Sequence, residues 1–199
     1  MTSVDVRDGR AARSARTRLA VVEALLDLLR EDNLRPTAQA IADRAGVSLR
    51  SVYVHFDDLE DLFAEAAAHH ARTVLSRRQP IARDQPVERR ITDTSDEFAG
   101  ILEATLAVRR AASIQEPFSP TLAASLTVTR GRARDEMARV FGAELDRHEP
   151  VRRRRLLAAL CVAVSSYTWE TLRLHEGLDV DQAREVVAEL LTATLKGAR

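Results

Sequence analysis

The side chains best suited to binding another molecule lie close together between Thr37 and His55. Hydroxyl, phenol and guanidinium groups bind phosphate oxygens, and an arginine can also read the edge of a guanine. This chemistry is typical of duplex DNA recognition rather than catalysis. The candidate DNA-binding residues are Thr37, Arg44, Ser48, Leu49, Arg50, Ser51, Tyr53 and His55.

Two short helices joined by a tight turn are predicted to hold these side chains. Thr37 follows a proline and can cap a helix over residues 38–45. Gly46 should end that helix, because glycine adopts a positive φ without strain. Ser48 can cap a second helix that ends near Val54. The pattern is a helix-turn-helix, whose second helix fits the major groove, although an ordinary helical hairpin in a bundle remains the alternative.

This stretch resembles the DNA-binding domain of TetR-family transcriptional regulators. The resemblance implies a homodimer with an N-terminal DNA-binding domain and a C-terminal helical domain that often binds an effector. Two residues depart from the family pattern: Leu59 replaces a lysine that contacts phosphate, and Arg50 replaces a glycine. The matching residues are Thr37, Ile41, Ala42, Ala45, Gly46, Val47, Ser48, Tyr53, His55, Phe56, Glu60 and Leu62.

Composition limits the possible classes of protein. The 199 residues carry no net charge, which counts mildly against a nucleic-acid binder, but arginines crowd the N-terminus. They stand at positions 7, 10, 13, 16 and 18, and those at 10, 13 and 16 could form a solvated face, contact phosphates or act as a minor-groove arm. The single cysteine, Cys161, excludes an intramolecular disulfide. With no signal peptide and no membrane-length apolar run, we expect a soluble, cytoplasmic protein without a membrane partner.

Apolar spacing predicts an all-α fold of about nine helices. The first should begin near Ala15, with Leu19 on its buried stripe. Later predicted helices cover residues 87–110, 121–128, 130–147, 150–175 and about 180–196. We expect a helix-turn-helix domain over residues 1–57, a linking helix over 58–78, and an effector-binding and dimerisation domain over 79–199.

Large side chains on separate helices of the second domain suggest a pocket for an apolar or amphipathic effector. Packing of the same side chains into an ordinary core is the competing interpretation. The candidate pocket residues are Thr94, Phe98, Ile101, Thr105, Phe118, Met137, Phe141, Ser165 and Trp169.

The helices near the C-terminus carry more apolar surface than one chain is expected to cover, which favours a four-helix bundle made by two copies. The candidate interface residues are Leu160, Val164, Val187, Leu190, Leu191 and Thr194.

No catalytic, nucleotide-binding or metal-binding motif stands out, so we expect neither an enzyme nor a cofactor. The favoured function is a dimeric, effector-responsive repressor that binds an inverted-repeat operator in double-stranded DNA. The alternatives are a helical scaffold that binds another protein through residues 156–195 and, less favoured, a small helical enzyme.

Overall fold

The computed structural model describes residues 3–76 and 79–197, with the side chains of residues 3–8 and Arg10 excepted. Our expectations for Arg7 and Arg10, and for residues 77, 78, 198 and 199, therefore lie outside the described residues. Within the described ranges the chain is all-α, with no strand. Its ten helices are α1 (Ser3–Arg30), α2 (Ala38–Ala45), α3 (Leu49–His55), α4 (Leu59–Leu75), α5 (Val87–Gln115), α6 (Pro120–Val140), α7 (Gly142–Leu145), α8 (Pro150–Ala163), α9 (Ser166–Glu170) and α10 (Val180–Lys196).

The chain divides into two compact units. The N-terminal unit contains the residues up to Thr73 together with Ala107–Ser125. The C-terminal unit contains Val74–Leu106 and the residues from Leu126 onward. The domain boundaries expected from the sequence did not include the contribution of residues 107–125 to the first unit.

The N-terminal unit is built around the apolar faces of the first four helices. Leu25 of α1, Ile41 of α2, Val52 of α3 and Leu62 of α4 are almost completely buried in one cluster with Phe56. Full burial of each such side chain contributes about 1.5–3 kcal/mol. This cluster fixes α3 against α1 and α2, so the opposite face of α3 is presented to solvent.

The start of α1 differs from its prediction. The helix begins at Ser3 rather than near Ala15, and Leu19 is 46% exposed instead of lying on the buried stripe. The buried stripe starts at Val21. Alanines and arginines favour helix, so a helix already anchored by its buried stripe extends through the solvated residues before it.

The C-terminal unit has its own apolar core. Met137, Phe141, Leu160, Trp169 and Leu191 are fully buried in it. α8 and α10 pack on each other within this unit. Asp179 caps α10 with a capping box, as one of the two aspartates expected there.

Two predicted helix boundaries in this unit are wrong. Residues 121–128 and 130–147 do not form two helices, because α6 runs unbroken to Val140. Gly131 costs about 1 kcal/mol in a helix, and the burial of Met137 and Val140 outweighs that cost.

The predicted helix over residues 150–175 is also interrupted. Ser165 adopts an extended conformation, and its hydroxyl accepts a hydrogen bond from the Thr168 amide at 3.1 Å. It therefore caps α9, which continues into a π-helical turn over Thr171–His175. Gly177 follows with a φ of 69°, as expected for the end of this segment.

None of the helices among the described residues combines the length and the hydropathy needed to span a membrane.

Candidate nucleic-acid interface

The turn between α2 and α3 has the geometry expected from the sequence. Thr37 Oγ1 accepts a hydrogen bond from the Ala40 amide at 3.2 Å, and Ser48 Oγ accepts one from the Ser51 amide at 3.1 Å. Gly46 has a φ of 66°, in the left-handed region that glycine adopts freely. Each cap stabilises its helix by about 1 kcal/mol. The Thr37 hydroxyl remains able to donate a hydrogen bond to an incoming oxygen atom, whereas the Ser48 hydroxyl also shares a hydrogen bond with Ser51 Oγ at 2.8 Å.

One face of α3 is exposed along its whole length. Leu49 and Tyr53 are one helical turn apart on this face, as are Arg50 and Val54. Val54 is 68% exposed, although sequence reasoning placed it only at the end of the helix. The missed signal is its position four residues after Arg50, which puts both on one face. The exposed face thus presents one cation, one phenol and two apolar side chains.

Arginines border this face. Arg13 of α1 and Arg50 line a shallow cleft of about 340 Å³ together with Ser51, Val54 and His55. Among the described residues, neither arginine has an ion-pair partner. A helical Arg13 beside α3 is better placed for phosphate contact than as an extended arm in the minor groove.

Arg44 is less available than the sequence suggested. Its guanidinium makes a bidentate ion pair with Glu31, at 2.9 and 2.6 Å. The hydrogen bond from Arg44 lowers the pKa of the Glu31 carboxyl, so this pair is charged at neutral pH. Arg44 can contact DNA only by sharing or leaving Glu31.

A half-buried arginine holds the end of α3 in place. Arg18 donates to the His55 carbonyl and to both carboxylate oxygens of Glu65, with its Nε 3.0 Å from Glu65 Oε1. Its guanidinium carbon lies 4.3 Å from the centroid of the Phe56 ring. The hydrogen bond to Glu65 raises the pKa of Arg18, which is therefore always charged. Arg18 thus joins α1, the C-terminal end of α3, and α4 through one planar group.

Four of the nine candidate pocket residues lie in the packed core of the C-terminal unit. Phe98, Met137, Phe141 and Trp169 are buried in one cluster, and Trp169 Nε1 donates to Glu103 Oε2 at 2.8 Å. The others have local roles or lie elsewhere. Thr105 donates to the Ile101 carbonyl at 2.8 Å, and Ser165 caps α9. Thr94 is buried, and its hydroxyl has no hydrogen-bond partner among the described residues. Phe118 belongs to the N-terminal unit and is 79% exposed.

A separate cleft of about 840 Å³ lies in the C-terminal unit. Its walls come from residues 85–92 at the start of α5, from residues 144–148 around the end of α7, and from the last turns of α10. None of the candidate pocket residues lines this cleft.

Most of the candidate dimer residues are covered by their own chain. Leu160, Val164, Val187 and Leu191 are buried in the core of the C-terminal unit, whereas Leu190 is 41% exposed and Thr194 is half-buried. The exposed apolar surface that sequence reasoning missed includes Val151, Ala158 and Val162 on α8 and Ala193 on α10. Their spacing could have indicated this surface. Val151 and Ala158 are seven residues apart, Ala158 and Val162 four, and Leu190 and Ala193 three, so each pair lies on one face of its helix.

Comparisons with known proteins agree with this geometry. A family model of bacterial regulatory proteins of the tetR family matches residues 21–66, which contain about the last third of α1, all of α2 and α3, and about half of α4. No curated protein matches the chain.

Two solved structures share the fold over nearly the whole chain. A transcriptional regulator from Rhodococcus sp. Rha1 aligns with a TM-score of 0.71 at 17% identity, over 92% of this chain and 96% of its own. A candidate TetR-family transcriptional regulator from Mesorhizobium loti aligns with a TM-score of 0.61, also at 17% identity, over 93% of this chain and 98% of its own.

The family match falls on the helices that form the exposed α3 face, and the shared fold extends to the C-terminal helices. Residues 21–66 are therefore similar to bacterial regulatory proteins of the tetR family, and the chain as a whole shares the fold of the two solved structures.

Proposed function

We propose that the chain is a repressor that binds an inverted-repeat operator as a homodimer and leaves it when a small-molecule effector binds. The observation that carries this proposal is the exposed face of α3. This face presents two apolar side chains, a tyrosine and an arginine that has no ion-pair partner among the described residues. The buried side chains of Val52 and Phe56 hold the opposite side of the helix against the core.

The side chains of this face divide between base and phosphate contacts. Arg50 lies in the first turn of α3, where side chains of a recognition helix reach base edges, and it can donate two hydrogen bonds to a guanine. Leu49 and Val54 offer apolar contacts to thymine methyl groups. Tyr53 and the capping hydroxyl of Thr37 are placed for phosphate oxygens.

Dimerisation is supported by apolar stripes on two helices that pack together. On α8, Val151, Ala158 and Val162 recur on one face, and on α10, Leu190 and Ala193 do the same. A two-fold arrangement of these faces would bury them against the same faces of a second copy. Two copies present two α3 helices, so half-sites should lie about one or more helical turns apart.

We include effector control in the proposal because it is typical of the family that the sequence resembles. We assign the DNA-binding role to residues 1–57 and the effector and dimerisation roles to residues 79–199. A ligand can release the operator only if it binds the DNA-incompetent dimer more tightly than the competent one. Entry among Phe98, Met137 and Trp169 requires these packed side chains to move, because they already fill the core.

Whether the protein represses or activates is tested by transcription in vitro from a promoter that carries an operator selected from random duplex DNA. Adding the wild-type protein should lower transcript yield, whereas Arg50→Ala at the same concentration should have a much smaller effect. A scrambled operator provides the control for unspecific binding. A rise in transcript yield on the intact operator would contradict repression and indicate an activator.

A further inference from the structure

We propose that the cleft between the start of α5, the end of α7 and the end of α10 is a binding site for a small amphipathic anion, that is, a carboxylate or phosphate on an apolar body. Its volume of about 840 Å³ lies within the range of small-molecule sites, roughly 300–1,000 Å³. This identification of the ligand class rests on the proposed effector response, but it concerns a different place from the packed core that the sequence suggested.

The walls of the cleft can hold an apolar body. Val87 and Ile91 contribute from α5, and Ala188 and Leu195 contribute from α10. Val87, Ala188 and Leu195 are only partly buried within the chain, so apolar surface remains for a ligand to cover. Covering it contributes about 25 cal/mol per Å².

The charges inside the cleft favour an anion. Arg90 is buried and fully used: it donates to the carbonyls of Gln85 and Val140 and forms a bidentate pair with Glu144, at 2.9 and 2.6 Å. Burial would raise the pKa of Glu144, but the hydrogen bond and charge of Arg90, the backbone amide of Glu144 and the charge of Arg147 together lower that pKa. Arg90 and Glu144 therefore cancel, and neither attracts a ligand ion.

Two cations remain at the cleft against one carboxylate. Arg147 and Lys196 line it, are exposed, and form no ion pair with any other described residue, although the charge of Arg147 also acts on Glu144. Glu88 is the single carboxylate outside the Arg90 pair. The first amides of α5, which have no acceptor within their helix, add the positive end of its dipole on the same side.

The cleft also contains a buried hydrogen-bond acceptor. Gln85 lines the cleft, and its Oε1 is buried without a hydrogen-bond donor among the residues that the structure describes. A buried polar atom without a partner destabilises the folded protein. A hydroxyl or amide on the ligand, close to its anionic group, would satisfy this oxygen.

The cleft also lies away from the proposed dimer surface. Each residue of an α-helix is rotated by about 100° from the last. Ala188, Thr192 and Leu195 therefore share one side of α10, while Leu190, two residues after Ala188, points to the opposite side. A second copy packed on Leu190 would leave the cleft open.

Binding is tested on the full-length protein by titration calorimetry with two ten-carbon probes below their micellar concentrations, decanoate and decyltrimethylammonium. Decanoate should bind the wild type, and decyltrimethylammonium should not.

Arg147→Glu and Lys196→Glu should each lower the affinity for decanoate at least about tenfold, because each replaces a charge-assisted contact by repulsion. Arg132→Glu makes the same charge change at an exposed position on α6 and should leave the affinity unchanged. Thr192→Trp should block the cleft without a charge change, with helicity checked by circular dichroism.

Absence of decanoate binding, equal binding of the cationic probe, or affinities that Arg147→Glu and Lys196→Glu do not alter would each overturn the site. Operator binding measured with the same probe separates this outcome from the proposed function. Decanoate that binds in the cleft but leaves operator affinity unchanged contradicts the effector role and supports the site. Release of the operator that persists in Arg147→Glu and Thr192→Trp contradicts the site and leaves the effector role standing.

Discussion

At the scale of single residues, we expect the preference for one DNA sequence to depend most on Arg50, the one cation on the exposed face of α3. Arg50→Ala should weaken binding to the preferred operator by about 1–3 kcal/mol and relax the preference at one base pair of each half-site. The measurement is a competition assay against operators that carry each base at every position. An unchanged ranking of operators in Arg50→Ala would contradict the base-reading role.

Arg13 provides the matched comparison, because it has the same charge and lines the same cleft but lies on α1. Arg13→Ala should weaken all sequences alike and reduce the slope of log K against log salt by about one. Titrations of operator and random duplex at several salt concentrations measure both quantities. A change in base preference without a change in slope would show that Arg13 reads bases instead.

Arg18 and Glu65 should affect DNA binding without touching DNA. Glu65→Ala removes a negative charge, so simple electrostatics predicts tighter binding to DNA. If the Arg18 group positions α3, Glu65→Ala and Arg18→Ala should instead both weaken operator binding, by about tenfold for a lost charged hydrogen bond. The salt slope of Glu65→Ala should equal that of the wild type.

Glu31→Ala is the control for this comparison. It is the same substitution in the same unit, and it frees Arg44, so operator binding should be unchanged or tighter. Tighter binding by Glu65→Ala as well would show that only surface charge matters and would contradict the positioning role of Arg18.

Residue roles that depend on local chain conformation could be predicted from the sequence, and those that depend on packing could not. The caps by Thr37 and Ser48 and the positive φ of Gly46 follow from residue type and neighbours, and the structure confirms them. The exposure of Val54 and the contacts of Arg18 depend on how α1 and α4 meet α3. No short-range pattern contains that information.

At the scale of helices, apolar spacing located most elements but not their ends. The predicted helix over residues 150–175 ignored that a serine within an apolar run can cap a new helix, as Ser165 does. The start of α1 was predicted too late because only apolar residues marked it. Solvated alanines and arginines extend a helix without leaving an apolar pattern.

The contact between α5 and the segment after α9 should make the C-terminal unit sensitive to acid. The hydrogen bond from Arg173 lowers the pKa of Glu103, against the effect of burial, and the indole of Trp169 assists. A carboxyl with a lowered folded-state pKa stabilises the fold above its ordinary value of 4.5, and this contribution is lost as the pH falls through the lowered value.

Glu103→Gln should therefore destabilise the protein at neutral pH, with a difference from the wild type that shrinks below pH 4.5. Urea unfolding followed by the fluorescence of Trp169 measures this difference directly. Glu88→Gln on the same helix controls for removal of an exposed carboxylate that has no hydrogen bond with Trp169 and no ion pair with Arg173. A wild-type advantage that stays constant through the acid range would contradict the charged pair.

At the scale of the whole molecule, the apolar stripes of α8 and α10 predict where two copies meet. Val162→Glu and Leu190→Glu place a charge on exposed positions of these stripes, so each variant should fold and sediment as a monomer. Val128→Glu introduces the same charge at an exposed valine of α6 outside the stripes and should remain dimeric. Dimers of all three variants at micromolar concentration would contradict the proposed surface.

The C-terminal unit shows why interfaces and pockets were the least predictable features. Large apolar residues such as Phe98 and Trp169 suggested a pocket, yet side chains of this kind usually fill a core, and here they do. The cleft beside Arg147 and Lys196 is assembled from three distant segments, so no motif could indicate it. Likewise, Leu160 and Leu191 are both buried in the core of a single chain.

The central claim, that a two-fold dimer of this chain reads DNA through α3, is tested most directly by selection of its preferred sites from random duplex DNA. The account predicts an inverted repeat whose half-sites are about one or more helical turns apart, each with a guanine that loses its preference in Arg50→Ala. Binding to the selected site should fall steeply with salt. Recovery of no common sequence, or of a single unrepeated site bound equally well by Arg50→Ala, would contradict the account.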